Sequence, residues 1–259
     1  MASSDLATVL RWSANELRAL REDAAPALLA ADSWLVADGR VRGHDLHWAR
    51  FAGCCGALEV PAAELAGFRA AVTAALPRSG RWFPRVEVVR SGGARTLQLR
   101  ERPARPGAHT ARVIVGPPGD PRARPCWKGP DVELLLALRE RAVAGGADEL
   151  LLCDGEGRLV EGALDSLLWW QGDTLCTTPG DRTLPGVTRA LLLDIARERG
   201  VAVRVRSPSP AQLLGCETWL TNALHGIRAV TAWNGAGAAP APRAASWQAA
   251  LARTARPLG

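Results

Sequence analysis

Residues 116–125 read Gly-Pro-Pro-Gly-Asp-Pro-Arg-Ala-Arg-Pro, and no other stretch limits the folding of this chain as much. Each proline removes a backbone N–H and fixes φ, so neither a helix interior nor a central strand can run through the segment. The chain is therefore expected to fold as two parts around a linker. An N-terminal domain covers 1–116, the linker 117–127 and a C-terminal domain 128–259. A length of 259 residues is enough for two cores of this size.

The patterning on either side is mixed. Residues 1–31 read as strand and loop pieces. Trp34–Val36 and Val41 flank an Asp38-Gly39 turn, the signature of a tight hairpin. A helix is expected from about His44 through Cys55, and a second from Pro61 to Ala75, where apolar residues recur at helical spacing. Trp82–Val89 and Ala94–Arg100 alternate around Ser91-Gly92-Gly93 as another hairpin, and Val113–Val115 is a short strand. Beyond the linker, a helix over Asp131–Ala144 stops at Gly145-Gly146. Strands follow at Glu149–Cys153, Arg158–Glu161, Leu164–Trp170 and Thr174–Thr177. A helix then opens at Leu184–Arg189 and runs to Arg199. Val201–Val205, Glu217–Thr221 and Arg228–Trp233 read as strands, Pro210–Leu214 as a short helix and Ala244–Ala255 as a closing helix.

Several function classes drop out. Apolar runs such as Leu134–Leu138 fall far short of the roughly 20 residues a spanning helix needs. No basic start followed by an apolar core marks a signal peptide. The six cysteines form no C-x-x-C pair, which disfavours a metal site or a disulfide framework and fits a reducing, cytoplasmic setting. The net charge is +6, but the arginines are scattered and no basic block or RNA-binding aromatic motif occurs, so nucleic acid is not the expected partner.

The charge is carried in an unusual way. Of 32 Lys and Arg residues only Lys128 is lysine; tyrosine is absent, and asparagine and isoleucine number three each. A G/C-rich gene accounts for the bias. Under such pressure a lysine that only carries charge can become arginine, whereas one that must lose its proton cannot, because guanidinium stays charged. Lys128 is thus a candidate for amine chemistry.

Lys128 lies 33 residues before Glu161, which ends the Asp154-Gly155-Glu156-Gly157 hairpin. Leu184-Pro185-Gly186-Val187-Thr188-Arg189 follows, and then Thr221-Asn222-Ala223-Leu224. In the first half stands His47-Trp48-Ala49-Arg50-Phe51. Together these resemble the class IV aminotransferases, the fold-type IV enzymes of pyridoxal 5'-phosphate, over about residues 32–234. The resemblance implies an α/β (α+β) fold with a small N-terminal domain and a larger, β-barrel-like C-terminal domain. It implies a Schiff base on Lys128, which also moves protons at the substrate. Glu161 would keep the pyridine nitrogen protonated. Arg50, Gly186, Val187, Thr188, Thr221, Asn222 and Ala223 would bind the cofactor, largely at its phosphate, with Ser166 beside them. Leu224 and His225 would face substrate. A homodimer is implied, whose partner chain completes the pocket, with a small amino acid or aminochorismate-like substrate.

The sequence departs from the family where Ser166 replaces an asparagine, where Val132 follows Asp131, in the absence of tyrosine, and before Trp34, where the usual glycine-rich turn is missing. The 33-residue gap and the run Thr221–Val230 resemble the 4-amino-4-deoxychorismate lyase branch, which eliminates pyruvate and yields 4-aminobenzoate. Amino-acid transamination and a noncatalytic relative of the fold stand as alternatives.

Overall fold

A computed structural model describes residues 8–20, 26–91 and 93–259. The chain divides into two compact units. The first comprises Met1–Pro106, Trp127–Pro130 and Ala255–Gly259, and the second Gly107–Cys126 and Asp131–Thr254. The linker expectation places Lys128 with the C-terminal part, whereas its contacts place it with the first unit. The residues on either side explain this: Trp127 Nε1 donates to Leu29 O at 2.8 Å, and the Lys128 carbonyl accepts the Ala31 N–H at 2.7 Å.

In the first unit, β1 (Thr8–Ser13), β2 (Glu16–Ala19) and β3 (Ala27–Ser33) precede the hairpin of β4 (Val36–Ala37) and β5 (Arg40–Arg42). Helices α1 (His44–Ala57) and α2 (Ala62–Ala75) follow, then β6 (Arg81–Trp82), β7 (Arg85–Ser91) and β8 (Ala94–Glu101). Five strands form an antiparallel sheet in the order β2-β1-β8-β7-β3. Strand alternation sorts its residues by face. Val86, Val88, Leu97 and Leu99 pack with Phe51, Phe68 and Val72 of the helices. Glu87, Gln98, Arg85 and Arg100 occupy the other face, where Glu87 is buried and paired with both arginines. Asp38 and Gly39 both take positive φ, as the two-residue hairpin requires. Trp34, expected in that hairpin, lies just past β3, fully buried against Trp48. Gly92 of the second expected hairpin lies outside the described residues.

The second unit is a mixed, curled sheet with helices. Its elements are β9 (Thr110–Val115), α3 (Val132–Ala144), β10 (Glu149–Cys153), β11 (Leu159–Gly162), β12 (Ser166–Gln171), β13 (Thr174–Thr177), α4 (Val187–Glu198), β14 (Val203–Val205), α5 (Pro210–Leu213), β15 (Thr218–Asn222), β16 (Gly226–Trp233), β17 (Ala236–Gly237) and α6 (Ala244–Ala252). The order is β11-β10-β9-β16-β15-β12-β13-β14, with β17 beside β16. Helices α3 and α4 each connect strands that run parallel or share the sheet, as crossover connections do. Trp169, Trp170 and Trp219 are core residues, as expected, and Trp170 meets Trp219 and Trp247 edge-to-face while those two tilt against each other. The expected closing helix ends early: β18 (Ala255–Pro257) pairs with β5 and completes a four-stranded sheet β18-β5-β4-β6 in the first unit. Among the described residues no helix is long and apolar enough to cross a membrane.

Candidate active site

On β3 a single carboxylate, Asp32, shares the helix-covered face of the five-stranded sheet with Ala30. An isolated charge there would be costly, so it must be paired. His47 and Arg50 stand one helical turn apart on α1 and both reach it. Arg50 Nε donates to Asp32 Oδ2 at 2.7 Å and Nη2 to Oδ1 at 2.8 Å, a two-pronged grip. His47 Nδ1 lies 2.7 Å from Oδ1. A carboxylate only accepts, so this nitrogen carries the proton. Burial works against the Asp32 charge, yet Arg50 and His47 hold the carboxyl well below its usual range. Burial lowers the His47 imidazole, with Asp32 opposing.

Lys128 is positioned by its neighbours. A Cβ on Gly129 would come within 2.6 Å of Ala30 Cα and Leu29 O, so only glycine lets this segment lie so close to β3. Among the described residues the Lys128 amine makes no hydrogen bond. Burial, with Arg50, Arg102 and Arg85 adding and Asp32 opposing, brings it down to about 8. At neutral pH an appreciable fraction is the free amine, the form that attacks carbonyl carbon.

In the second unit, Glu161 stands one residue before the end of β11 with its side chain almost fully buried. Its Oε1 accepts the Leu184 N–H at 2.9 Å and pairs with the Arg122 guanidinium. Burial, partly offset by Arg122 and the Leu184 N–H, raises the carboxyl to about 7. The hydrogen bond from Leu184 ties Glu161 to the segment that starts α4. There Val187 and Thr188 are buried, no side chain caps the helix, and the first N–H groups have no partner within it. A buried helix start of this kind suits an anion. A Cβ on Gly186 would meet Ser166 Oγ, which packs directly against this position. Ser166 and Thr221 are register partners in β12 and β15, and Thr221 Oγ1 donates to Ser166 O at 3.5 Å. The structure thus brings Glu161, Ser166, Gly186, Val187, Thr188 and Thr221 together.

Asn222 is committed elsewhere. Its Nδ2 donates to Asp165 Oδ1 at 2.9 Å and its Oδ1 accepts the His225 N–H at 2.8 Å. Asp165 in turn pairs with buried Arg228, which also meets Glu149. His225 Nδ1 accepts the Ala108 N–H at 3.0 Å, and burial together with Arg228 lowers its imidazole to about 4. It is a neutral acceptor at physiological pH. Ala223 and Leu224 are half-buried in the same turn.

Sequence reasoning missed Asp32, Arg122, Gly129 and the Asp165–Arg228 pair. Asp32 left a trace as the lone charge in an apolar stretch, Leu28–Val36. Arg122 left none, being one arginine among 31 in what reads as a linker.

The family model for amino-transferase class IV matches residues 29–233. The chain belongs to this family. Class IV aminotransferases are pyridoxal-phosphate-dependent enzymes of fold type IV, and the fold follows suit. A branched-chain-amino-acid aminotransferase from Pseudomonas aeruginosa is 35% identical over 72 residues, 28% of this chain and 23% of that protein. The matched stretch spans about a quarter of the length of the curated relatives. A hypothetical aminotransferase from Mycobacterium tuberculosis in its PLP-bound form superposes with a TM-score of 0.79 at 18% identity, covering 95% of this chain and 98% of that one. A 4-amino-4-deoxychorismate lyase-like structure from Legionella pneumophila gives 0.71 at 19%, covering 87% and 90%.

The class IV residues present fit the family's cofactor on observations made within each unit. An amine without a hydrogen bond matches its aldehyde, a buried carboxylate with one oxygen uncommitted matches its pyridine nitrogen, and an uncapped buried helix start matches its phosphate.

Proposed function

We propose that this protein acts on an amino-bearing carboxylic acid through Lys128, with pyruvate elimination of the 4-amino-4-deoxychorismate lyase type as its reaction. The observation that carries the reading is the state of Lys128: the one lysine of the chain, fastened to β3 by its flanks, has an unengaged amine lowered to about 8. Pyridoxal phosphate, when bound, supplies an electron sink for charge developing at the carbon that bears the amino group. Lys128 would hold the cofactor covalently, and its amine would take the proton from that carbon, a proton that leaves with pyruvate when the ring becomes aromatic. Glu161 holds a proton at the pyridine nitrogen. Arg50, the Gly186–Thr188 helix start, Ser166 and the Thr221–Ala223 turn bind the cofactor, with the phosphate at the helix start. Leu224 and His225 border the substrate.

The likeness to the Legionella structure and the run Thr221–Val230 support the lyase reading. The match to branched-chain-amino-acid aminotransferases favours a second reading, transamination between an amino acid and a 2-oxo acid. One experiment separates them. The holoenzyme is given aminodeoxychorismate without an oxo-acid acceptor. Continued release of pyruvate and 4-aminobenzoate supports the lyase; no release, together with turnover of amino acids only when an acceptor is added, establishes transamination instead. Lys128→Ala abolishes either activity, and activity that persists in that variant contradicts both. We also propose a homodimer, in which the partner chain completes the site; sedimentation at micromolar concentration tests this, a monomeric active enzyme contradicting it.

A further inference from the structure

The segment that reads as a linker contains a buried chain of charges behind Glu161. Arg122 Nε donates to Asp120 Oδ1 at 2.9 Å and Nη2 to Oδ2 at 2.8 Å, a parallel fork-to-carboxylate pair. Nη2 also donates to the Arg182 carbonyl at 2.9 Å, and Nη1 pairs with Glu161 Oε1. All three side chains are at most 4% exposed. The prolines that exclude regular structure hold this segment in an irregular path, and that path places Asp120 and Arg122 two residues apart facing each other.

The charges add in an instructive way. Arg122 alone would neutralise Glu161. Asp120 matches the charge of Arg122 and so keeps it from cancelling Glu161 outright; Arg182 stands 3.9 Å from Asp120, and Arg189 also acts on Glu161. Arg122 and the Leu184 N–H fix the same oxygen, Oε1, and among the described residues Oε2 makes no hydrogen bond.

We propose that Asp120 and Arg122 are positioning residues for the cofactor's pyridine nitrogen: against burial they favour the ionised form of Glu161 and orient it, with one oxygen left for that nitrogen. Arg122 supplies the ionisation and Asp120 prevents it from becoming neutralisation. The inference rests on the reading of Glu161 given above and extends it to residues that touch neither cofactor nor substrate.

The test begins with apoprotein labelled at glutamate side-chain carboxyls with ¹³C, the Glu161 resonance being identified by its loss in Glu161→Gln. Its titration midpoint is expected near neutrality. Arg122→Met should raise it by at least one pH unit, whereas Asp120→Asn should lower it, because an unmatched Arg122 acts more strongly on Glu161. A merely structural role for the pair would not move the two variants in opposite directions. Pyridoxal phosphate affinity is then measured by tryptophan fluorescence. Arg122→Met should weaken it at least 10-fold and add nothing in a Glu161→Gln background. If Arg122→Met does not fold, Arg122→Lys, which keeps the charge and loses the fork, should raise the midpoint by a smaller amount. An unchanged midpoint in the arginine and aspartate variants overturns this proposal alone. An unchanged cofactor affinity in Glu161→Gln overturns the Glu161 reading, and the proposal with it.

Discussion

Asp32 joins the two requirements of the first unit, a stable core and a reactive amine. It grips Arg50, orients His47 and opposes the lowering of the Lys128 amine. Asp32→Asn leaves buried Arg50 without its counter-charge, so unfolding free energy should fall by about 3–5 kcal/mol, measured by urea denaturation of the apoprotein. Because the folded carboxyl titrates below its unfolded value, its stabilisation is complete above about pH 4, the ordinary aspartate range, and is lost as pH falls toward the folded value. Lys128 has the opposite economy. Its folded amine binds its proton less tightly than in the unfolded chain, so below about 8 it destabilises the fold, and this is relieved as pH rises toward the unfolded value. Lys128→Met should therefore stabilise the apoprotein at pH 7 by about 2 kcal/mol, discounted for partial exposure, and the gain should shrink above pH 9 or so. Equal stability of the two proteins at pH 7 contradicts the burial argument.

Helices and hairpins with strong local signals were legible to within a residue or two. Asp38-Gly39 dictated its hairpin, and helical spacing with Gly145-Gly146 dictated α3. Boundaries set by tertiary contact were not. Trp34 belongs to no strand because its ring is needed in the core, and Ala255 leaves the helix because β5 offers a pairing edge. The glycine at 129 carries a similar lesson: nothing local calls for glycine there, and the demand comes from the backbone of β3. Gly129→Ala should cost about 1–3 kcal/mol as an overpacking change and shift Lys128 away from β3. Thermal melts should show the first effect, and loss of covalent cofactor attachment the second. A variant that binds cofactor as the parent does contradicts this account of how Lys128 is placed.

At the scale of the whole molecule, family membership was readable, because the motifs from His47 to Ala223 fall within the matched stretch, residues 29–233. The grouping was less so. A proline-rich boundary correctly predicts a break in regular structure, but chain direction does not decide which core a short flanking segment joins. Hydrogen bonds to Leu29 and Ala31 place 127–130 with the first unit. Sheet order is likewise beyond local pattern: β9 lies between β10 and β16, more than 100 residues from the latter. The central claim concerns one nitrogen. Purified protein loaded with pyridoxal phosphate is reduced with borohydride and digested, and the peptides are sequenced by mass spectrometry. The account predicts the phosphopyridoxyl group on Lys128 and its absence in Lys128→Ala. Reduction that leaves the Lys128 peptide unmodified in a protein saturated with cofactor would contradict it.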